Sequence, residues 1–335
     1  MERHKLTMEY SGVLIIMTKI DQNQILFAGQ PEQIKSIIGQ RHPDNNNLLI
    51  YHHLGLGDHI ALSGLVREII KEDEPDNVYI ACLTHNINNV RKLYADLPNV
   101  HIVDAGGHLG AHGNPVSHWI KNNGPHRIIK IGHEDWGRLE GAWDGYVDTK
   151  VYMAAGYDIR LRWNNFRYQR DMDAEEAAFK KLNPNDEEFC FVHDPGNNQH
   201  IADTGWRGNI KDETVRHAST RDNLKIIRND ITIPIMDLGL ILERSSEVHL
   251  MESSIRCLIE GLDTINVRHF HHRYIRDSYC LDNGTMKCWM VIEEPEIDKF
   301  KTSILNGPAQ IEYFNRNGKF SQNLRATGNY SASWG

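Results

Sequence analysis

Apolar residues recur along this chain in two rhythms: short continuous runs, and longer stretches at helical spacing. A four-residue run at 48–51 leads into the glycine-bearing segment 53–58. After it Ile60, Leu62, Leu65, Val66, Ile69 and Ile70 fall on one broad helical face. Runs at 78–83, 100–103 and 127–131 predict strands, with a helix over 87–97 after the first of them. A second series follows, with strands at 189–193, 224–228, 247–251 and 264–267 and helices over 237–243 and 255–262. Strands alternating with helices of these lengths imply βαβ units and parallel sheets. The pattern is written twice, so the expected fold is α/β, two Rossmann-like domains whose parallel sheets face each other across a cleft.

The same pass sets the expected boundaries. Residues 1–46 read as an N-terminal extension with a hairpin built from 12–17 and 24–27, ending in the turn-rich 40–47. Residues 47–170 form the first domain, 171–186 a linker helix, 187–300 the second domain and 301–335 a tail. A short helix over 147–155 stops at Gly156, and one over 174–182 is closed by Asn183 and Pro184. The weakly periodic 106–145, apart from its strand, reads as long loops around the cleft.

Composition narrows the function classes. The 335 residues are 40% hydrophobic and 24% charged, the balance of a chain with a real core. No run of about 18 apolar residues is present, so no membrane span is expected. A formal charge of −8 argues against a dedicated nucleic-acid binder, which needs a basic surface. The five cysteines lack metal-type spacing and read as reduced thiols of a cytoplasmic protein.

The 19 histidines invite a metal hypothesis that their spacing does not support. His52 and His53 alternate across a strand, and His269, His271 and His272 lack an accompanying cysteine or glutamate pattern. Asp171-Met172-Asp173 has the letters of a metal-binding Asp-x-Asp but sits where a helix cap belongs. No metal and no other cofactor is expected.

The candidate chemistry centres on Leu54-Gly55-Leu56-Gly57-Asp58, between the first strand and its helix. Gly55 and Gly57 let a ligand approach the backbone, and the helix start offers N–H groups to anions. A dinucleotide fingerprint fails, because Ile60 stands where a third glycine or alanine belongs and Leu83-Thr84 where an acid belongs. Asp58 is a short carboxylate at the carboxyl end of the first strand, where open α/β sheets bind ligands. Two readings stand for it, a helix N-cap and a catalytic base.

The run HHLGLGDHIALSGLVREI resembles the opening of inverting glycosyltransferases of the heptosyltransferase type, with their strand, Gly-x-Gly-Asp turn and helix. Further blocks resemble a group of uncharacterised bacterial and viral glycosyltransferase-like proteins. They are Ala154–Tyr157 with Arg162–Phe166 and Arg170-Asp171, then Glu247–Ser254, then His272–Arg276. The resemblance implies a GT-B-like architecture with the donor nucleotide in the second half, and it makes Asp58 the general base toward the acceptor hydroxyl.

On that plan the diphosphate needs positive charge or N–H donors. Ser253 and Ser254, between a strand and a helix, supply hydroxyls and N–H groups, and Glu252 an acceptor for ribose hydroxyls; a plain capped helix start explains them equally. Arg228 ends a strand and suits bidentate phosphate binding, against the alternative of a surface pair with Asp230. His193 ends another strand before Asp194-Pro195-Gly196 and faces the same expected site, and Trp206-Arg207 follows.

The reading of function is a glycosyltransferase moving a sugar from a nucleotide-sugar donor to a glycan or other hydroxyl acceptor, inverting and metal-independent. A nucleotide-sugar epimerase would draw on Glu134, Asp135 and Glu140. A non-catalytic nucleotide-sugar or glycan-binding protein would use Asp58 as a cap alone.

Overall fold

Strand β2 (Asn47–Tyr51) shows why the chain folds around parallel sheets. Leu48, Leu49 and Ile50 are all fully buried, so the strand is covered on both faces and needs an unbroken apolar run. Leu48 and Ile50 join the main core, while Leu49 turns to a smaller cluster with Ala81, Leu83, Ala105 and Ile128. The computed structural model describes residues 26–28, 38, 40, 46–52, 55–106, 127–131, 151–152, 155–194, 210–219, 221, 223–251, 253–273, 287–293 and 302–306.

The first sheet contains β1 (Leu26–Ala28), β2, β3 (Asn77–Cys82), β4 (Val100–Asp104) and β5 (Arg127–Lys130), in the order β1-β5-β2-β3-β4 and all parallel. The chain steps outward from β2 to β3 and β4, then returns to lay β5 on the other side of β2. The switch point of the sheet is therefore between β2 and β5, where such sheets open a crevice for ligands. Helix α1 (Leu56–Asp73) leaves β2 beside it, and α2 (Ile87–Leu93) follows β3. At the opposite end of the sheet, Arg127 pairs with Asp73 and donates to Asn46 Oδ1 at 2.7 Å, all of them buried.

A connecting stretch carries the short helix α3 (Leu161–Asn164) and then α4 (Met172–Leu182). Asp171 caps α4, its side chain accepting from Ala174 N at 3.1 Å, as the sequence suggests. Gly156 has φ 78°, the left-handed stop expected there.

The second sheet contains β6 (Phe189–His193), β7 (Lys225–Arg228), β8 (Glu247–Leu250), β9 (Arg268–Arg273), β10 (Cys288–Glu293) and β11 (Thr302–Asn306). Their order is β11-β10-β9-β8-β6-β7, parallel from β7 to β10 with β11 antiparallel at the edge. Its switch point is between β6 and β8. Helices α5 (Asp212–Ala218), α6 (Gly239–Arg244) and α7 (Ser254–Ile259) complete this half. One apolar core runs through both halves, from Leu48 and Val66 to Phe191, Leu250 and Trp289.

Element boundaries shift from those expected. Leu26–Ala28, within the second arm of the expected hairpin, pairs in parallel with β5 and extends the first sheet, while the other arm, 12–17, lies outside the described residues. The strand expected at 264–267 is a turn, closed by Val267 N donating to Thr264 O at 3.0 Å, and the strand begins one residue later at Arg268. The second half also extends past 300, into the stretch expected as the tail 301–335: Thr302–Asn306 is β11 and pairs with β10, while 307–335 and most of the loop region 106–145 lie outside the described residues.

Candidate active site

Helix α1 starts two residues before Asp58. Its N-cap is Gly55, at φ −66° and ψ 145°, with no side-chain cap bond, and His59 N donates to Gly55 O at 3.1 Å to open the ladder. Asp58 is thus the third residue of the helix and not its N-cap, and that is also the position from which a carboxylate reaches back toward the N-cap, so the structural and catalytic readings both stand. A carboxylate there gains from the positive end of the helix dipole. It also folds back over Gly55: a Cβ on residue 55 would stand 2.5 Å from Asp58 Oδ2. Gly55 is needed for the space it leaves rather than for its backbone angles.

Beneath this turn lie two histidines. His52, at the carboxyl end of β2, and His59, on α1, are fully buried, with ring centroids 4.5 Å apart in an edge arrangement. Both ring nitrogens of His59 are buried without a hydrogen-bond partner. Burial, and then the neighbouring His52, hold the His59 pKa well below its ordinary value, so the ring is neutral. His53 and Leu54 lie outside the described residues.

The second turn follows β8. Ser253 is the N-cap of α7, its Oγ accepting from Arg256 N at 3.5 Å, and Ser254 is the first helical residue. Glu252 lies outside the described residues. His193 closes β6 at the switch point, its Nδ1 3.1 Å from Asn229 Nδ2.

Arg228 stands one strand further out, at the end of the edge strand β7. Its guanidinium donates to Asp194 Oδ2 at 2.8 Å, Asp212 Oδ1 at 2.6 Å and the Ile210 carbonyl at 2.7 Å. The expected alternative partner, Asp230, instead pairs with Lys181 at 2.6 Å. The side chain remains 42% exposed.

The two turns meet. A Cβ on Gly57 would stand 3.6 Å from both Ser254 Cα and Cys257 Sγ, so the first turns of α1 and α7 touch at backbone distance. The strand-to-helix turn at one switch point is thereby set against the turn beside the other.

Several buried polar residues escaped the sequence reading. Arg256 is fully buried in the first turn of α7, 4.0 Å from Glu260 Oε1, which accepts from Trp289 Nε1 at 2.7 Å. His249 stacks on Phe270 with centroids 4.4 Å apart, and its Nδ1 is 3.0 Å from His272 Nε2. Burial brings the His249 pKa down to about 4. The signal for β9 was available: His269 and His271 alternate with Phe270 and His272, a period of two written in histidine rather than valine. Among the described residues no group of three or more His, Cys, Asp or Glu is placed to hold a metal ion. No described helix is long and apolar enough to cross a membrane. Glu134, Asp135, Glu140, Trp206 and Arg207 lie outside the described residues.

No protein-family model matches the chain. No curated protein matches it either. Among solved structures, a glycosyl transferase of family 9 from Veillonella parvula is similar at 11% identity and a TM-score of 0.42, covering 86% of this chain and 92% of that one. The iron-containing dodecameric glycosyltransferase TibC from enterotoxigenic E. coli is similar at 10% identity and a TM-score of 0.41, over 68% of this chain and 58% of that one. The E. coli heptosyltransferase WaaC with ADP is similar at 9% identity and a TM-score of 0.38, over 81% of this chain and 99% of that one.

Proposed function

We propose that this chain is a glycosyltransferase that moves a sugar from a nucleotide-sugar to a glycan or other hydroxyl acceptor, with inversion and without a metal. The observation that carries the reading is the contact between Gly57 and Ser254. It sets a first-turn carboxylate of one half beside a serine-capped helix start of the other, both at the carboxyl ends of parallel sheets.

In this reading Asp58 accepts the proton of the acceptor hydroxyl as that oxygen attacks the anomeric carbon. The bond from the anomeric carbon to the diphosphate breaks on the opposite face, and the nucleoside diphosphate leaves with the electron pair. N–H groups and hydroxyls at Ser253 and Ser254 stabilise the charge that develops there. Glu252 accepts from the ribose hydroxyls and His193 lines the donor side, while Gly55 and Gly57 serve the site by packing: one makes space for the Asp58 carboxylate and the other lets α7 approach. Arg228 has a smaller share than the serine turn, because its guanidinium already holds three acceptors.

The test is to incubate the protein with uridine, guanosine and adenosine diphosphate sugars, with and without a chelator, and to follow release of nucleoside diphosphate by mass spectrometry. Release from one donor class, unaffected by chelator, is expected. Chelator-sensitive release would remove the metal-independent mechanism. Binding without release in the presence of a broad acceptor panel would favour a binding protein instead.

A further inference from the structure

The chain that joins the two sheets is not a loose tether. Tyr152 anchors its start on α1, donating to the Ala61 carbonyl at 2.8 Å and accepting from Leu65 N at 3.2 Å. Helix α3 then lies on Gly64 of α1, so close that a Cβ at 64 would collide with the Leu161 carbonyl. Asn165 Nδ2 donates to Glu68 Oε2 at 2.7 Å, and Arg67 donates to the Arg167 carbonyl at 3.0 Å.

Within the same few residues the strap grips the other half. The Phe166 ring fills the space over Gly261, just beyond α7, and the Tyr168 hydroxyl and Arg170 guanidinium converge on Gly239 at the start of α6. Arg170 donates to both oxygens of Glu243 at 2.8 Å and pairs with Glu175. Glu175 Oε2 in turn accepts from Leu240 N at 2.7 Å. Each of the three seats, Gly64, Gly239 and Gly261, admits the strap only because it carries no side chain. Two direct bonds also join the halves: Lys92 pairs with Asp237, and Met236 N donates to Asn89 Oδ1 at 3.2 Å.

Hinge closure turns on a few loop or element-terminal residues that are free to change their φ and ψ. Here the halves are joined along the strap, at the α2 contact and at the Gly57–Ser254 contact. We infer that the two halves are locked together before any ligand arrives, so that the Asp58 turn and the Ser253–Ser254 turn form a preassembled site rather than one that closes on its donor. The functional part of this inference rests on the proposed donor and acceptor turns; the lock itself does not. Preassembly places the cost of orientation in folding rather than in binding.

The experiment is a spin-label distance measurement between positions 76 and 213, both exposed and one on each half. Labels go on genetically encoded ketone residues, which leaves the native cysteines untouched. The full chain should give one narrow distance distribution, and saturating uridine, guanosine or adenosine diphosphate should move it by less than about 2 Å. A broad or two-peaked distribution without ligand, or a larger shift with it, overturns the lock. Phe166→Ala with Arg170→Ala should broaden the distribution, or Arg170→Gln alone where the double variant does not fold; a distribution that stays narrow would show that the strap is not the lock. If none of the three diphosphates binds, the donor-site reading fails, while the ligand-free distribution still decides the lock.

Discussion

Asp58 and Gly55 are matched: the carboxylate of the third helical residue occupies the space that a side chain on the N-cap would need, with Oδ2 2.5 Å from the position of a Cβ. The backbone of Gly55 is in the ordinary extended region, so alanine is allowed there by its angles. Gly55→Ala should therefore fold normally yet push Asp58 out of place. Turnover on the true acceptor should fall at least about tenfold, in line with the cost of small misplacements of catalytic groups. Thermal unfolding and acceptor kinetics on one preparation check it, and normal turnover would show that the fold-back has no part in the chemistry.

Replacing Asp58 itself separates charge from structure. Asp58→Asn keeps the size of the side chain and a polar group at the third helical position while removing the charge, which is worth about 0.3–1 kcal/mol to the helix. Turnover should drop by about 10²-fold or more if the carboxylate is the base. Donor binding should persist, because the carboxylate faces the acceptor in this reading. Near-normal turnover in the asparagine variant would end the catalytic role.

How much of this was legible beforehand follows the chemistry of burial. Strands β2, β3 and β6 are apolar runs buried on both faces, and a linear pattern reports such strands well. The Asp58 turn was legible because glycine, glycine and aspartate sit where a strand becomes a helix. Strand β9 was missed because five of the six residues of Arg268–Arg273 are charged or titratable, with Phe270 the exception, and only tertiary packing buries His269, His271 and His272. Arg228 was legible as a strand end, but its partners Asp194 and Asp212 come from segments whose approach no local spacing encodes. Similarly, nothing in the spacing of Gly64, Gly239 and Gly261 announces that residues 161–170 lie on all three.

The pair of Arg127 and Asp73 is buried on both sides, each side chain about 1% exposed. Removing one partner leaves an uncompensated charge in the core, so Asp73→Ala should cost about 3–5 kcal/mol. Replacing both with apolar residues, Arg127→Met with Asp73→Leu, should cost much less than the single change. Urea denaturation of the three proteins checks the ordering. A double variant as unstable as Asp73→Ala would mean that the charges themselves, and not their pairing, hold the base of the sheet.

Acid should weaken the fold before its carboxylates titrate, and the buried histidines set the window. His59 is held well below its ordinary pKa, and His249 is brought down to about 4 from 6.5, burial being the first cause in each. An unfolded chain takes up protons at both positions as pH falls below 6.5, while the folded chain refuses them. The unfolded state therefore binds more protons, and stability falls as pH falls, by up to about 1.4 kcal/mol per pH unit for each histidine. For His249 the loss runs from about 6.5 to about 4, and the groups around it are Glu247 Oε2 at 3.5 Å, His272 at 3.0 Å and, through Glu247, Arg268. Urea midpoints measured between pH 7 and pH 5 should decline in the native chain. His249→Gln cannot take up the proton, so its midpoint should start lower at pH 7 and decline less steeply. Two parallel declines would show that His249 is not one of the groups whose protonation drives the loss.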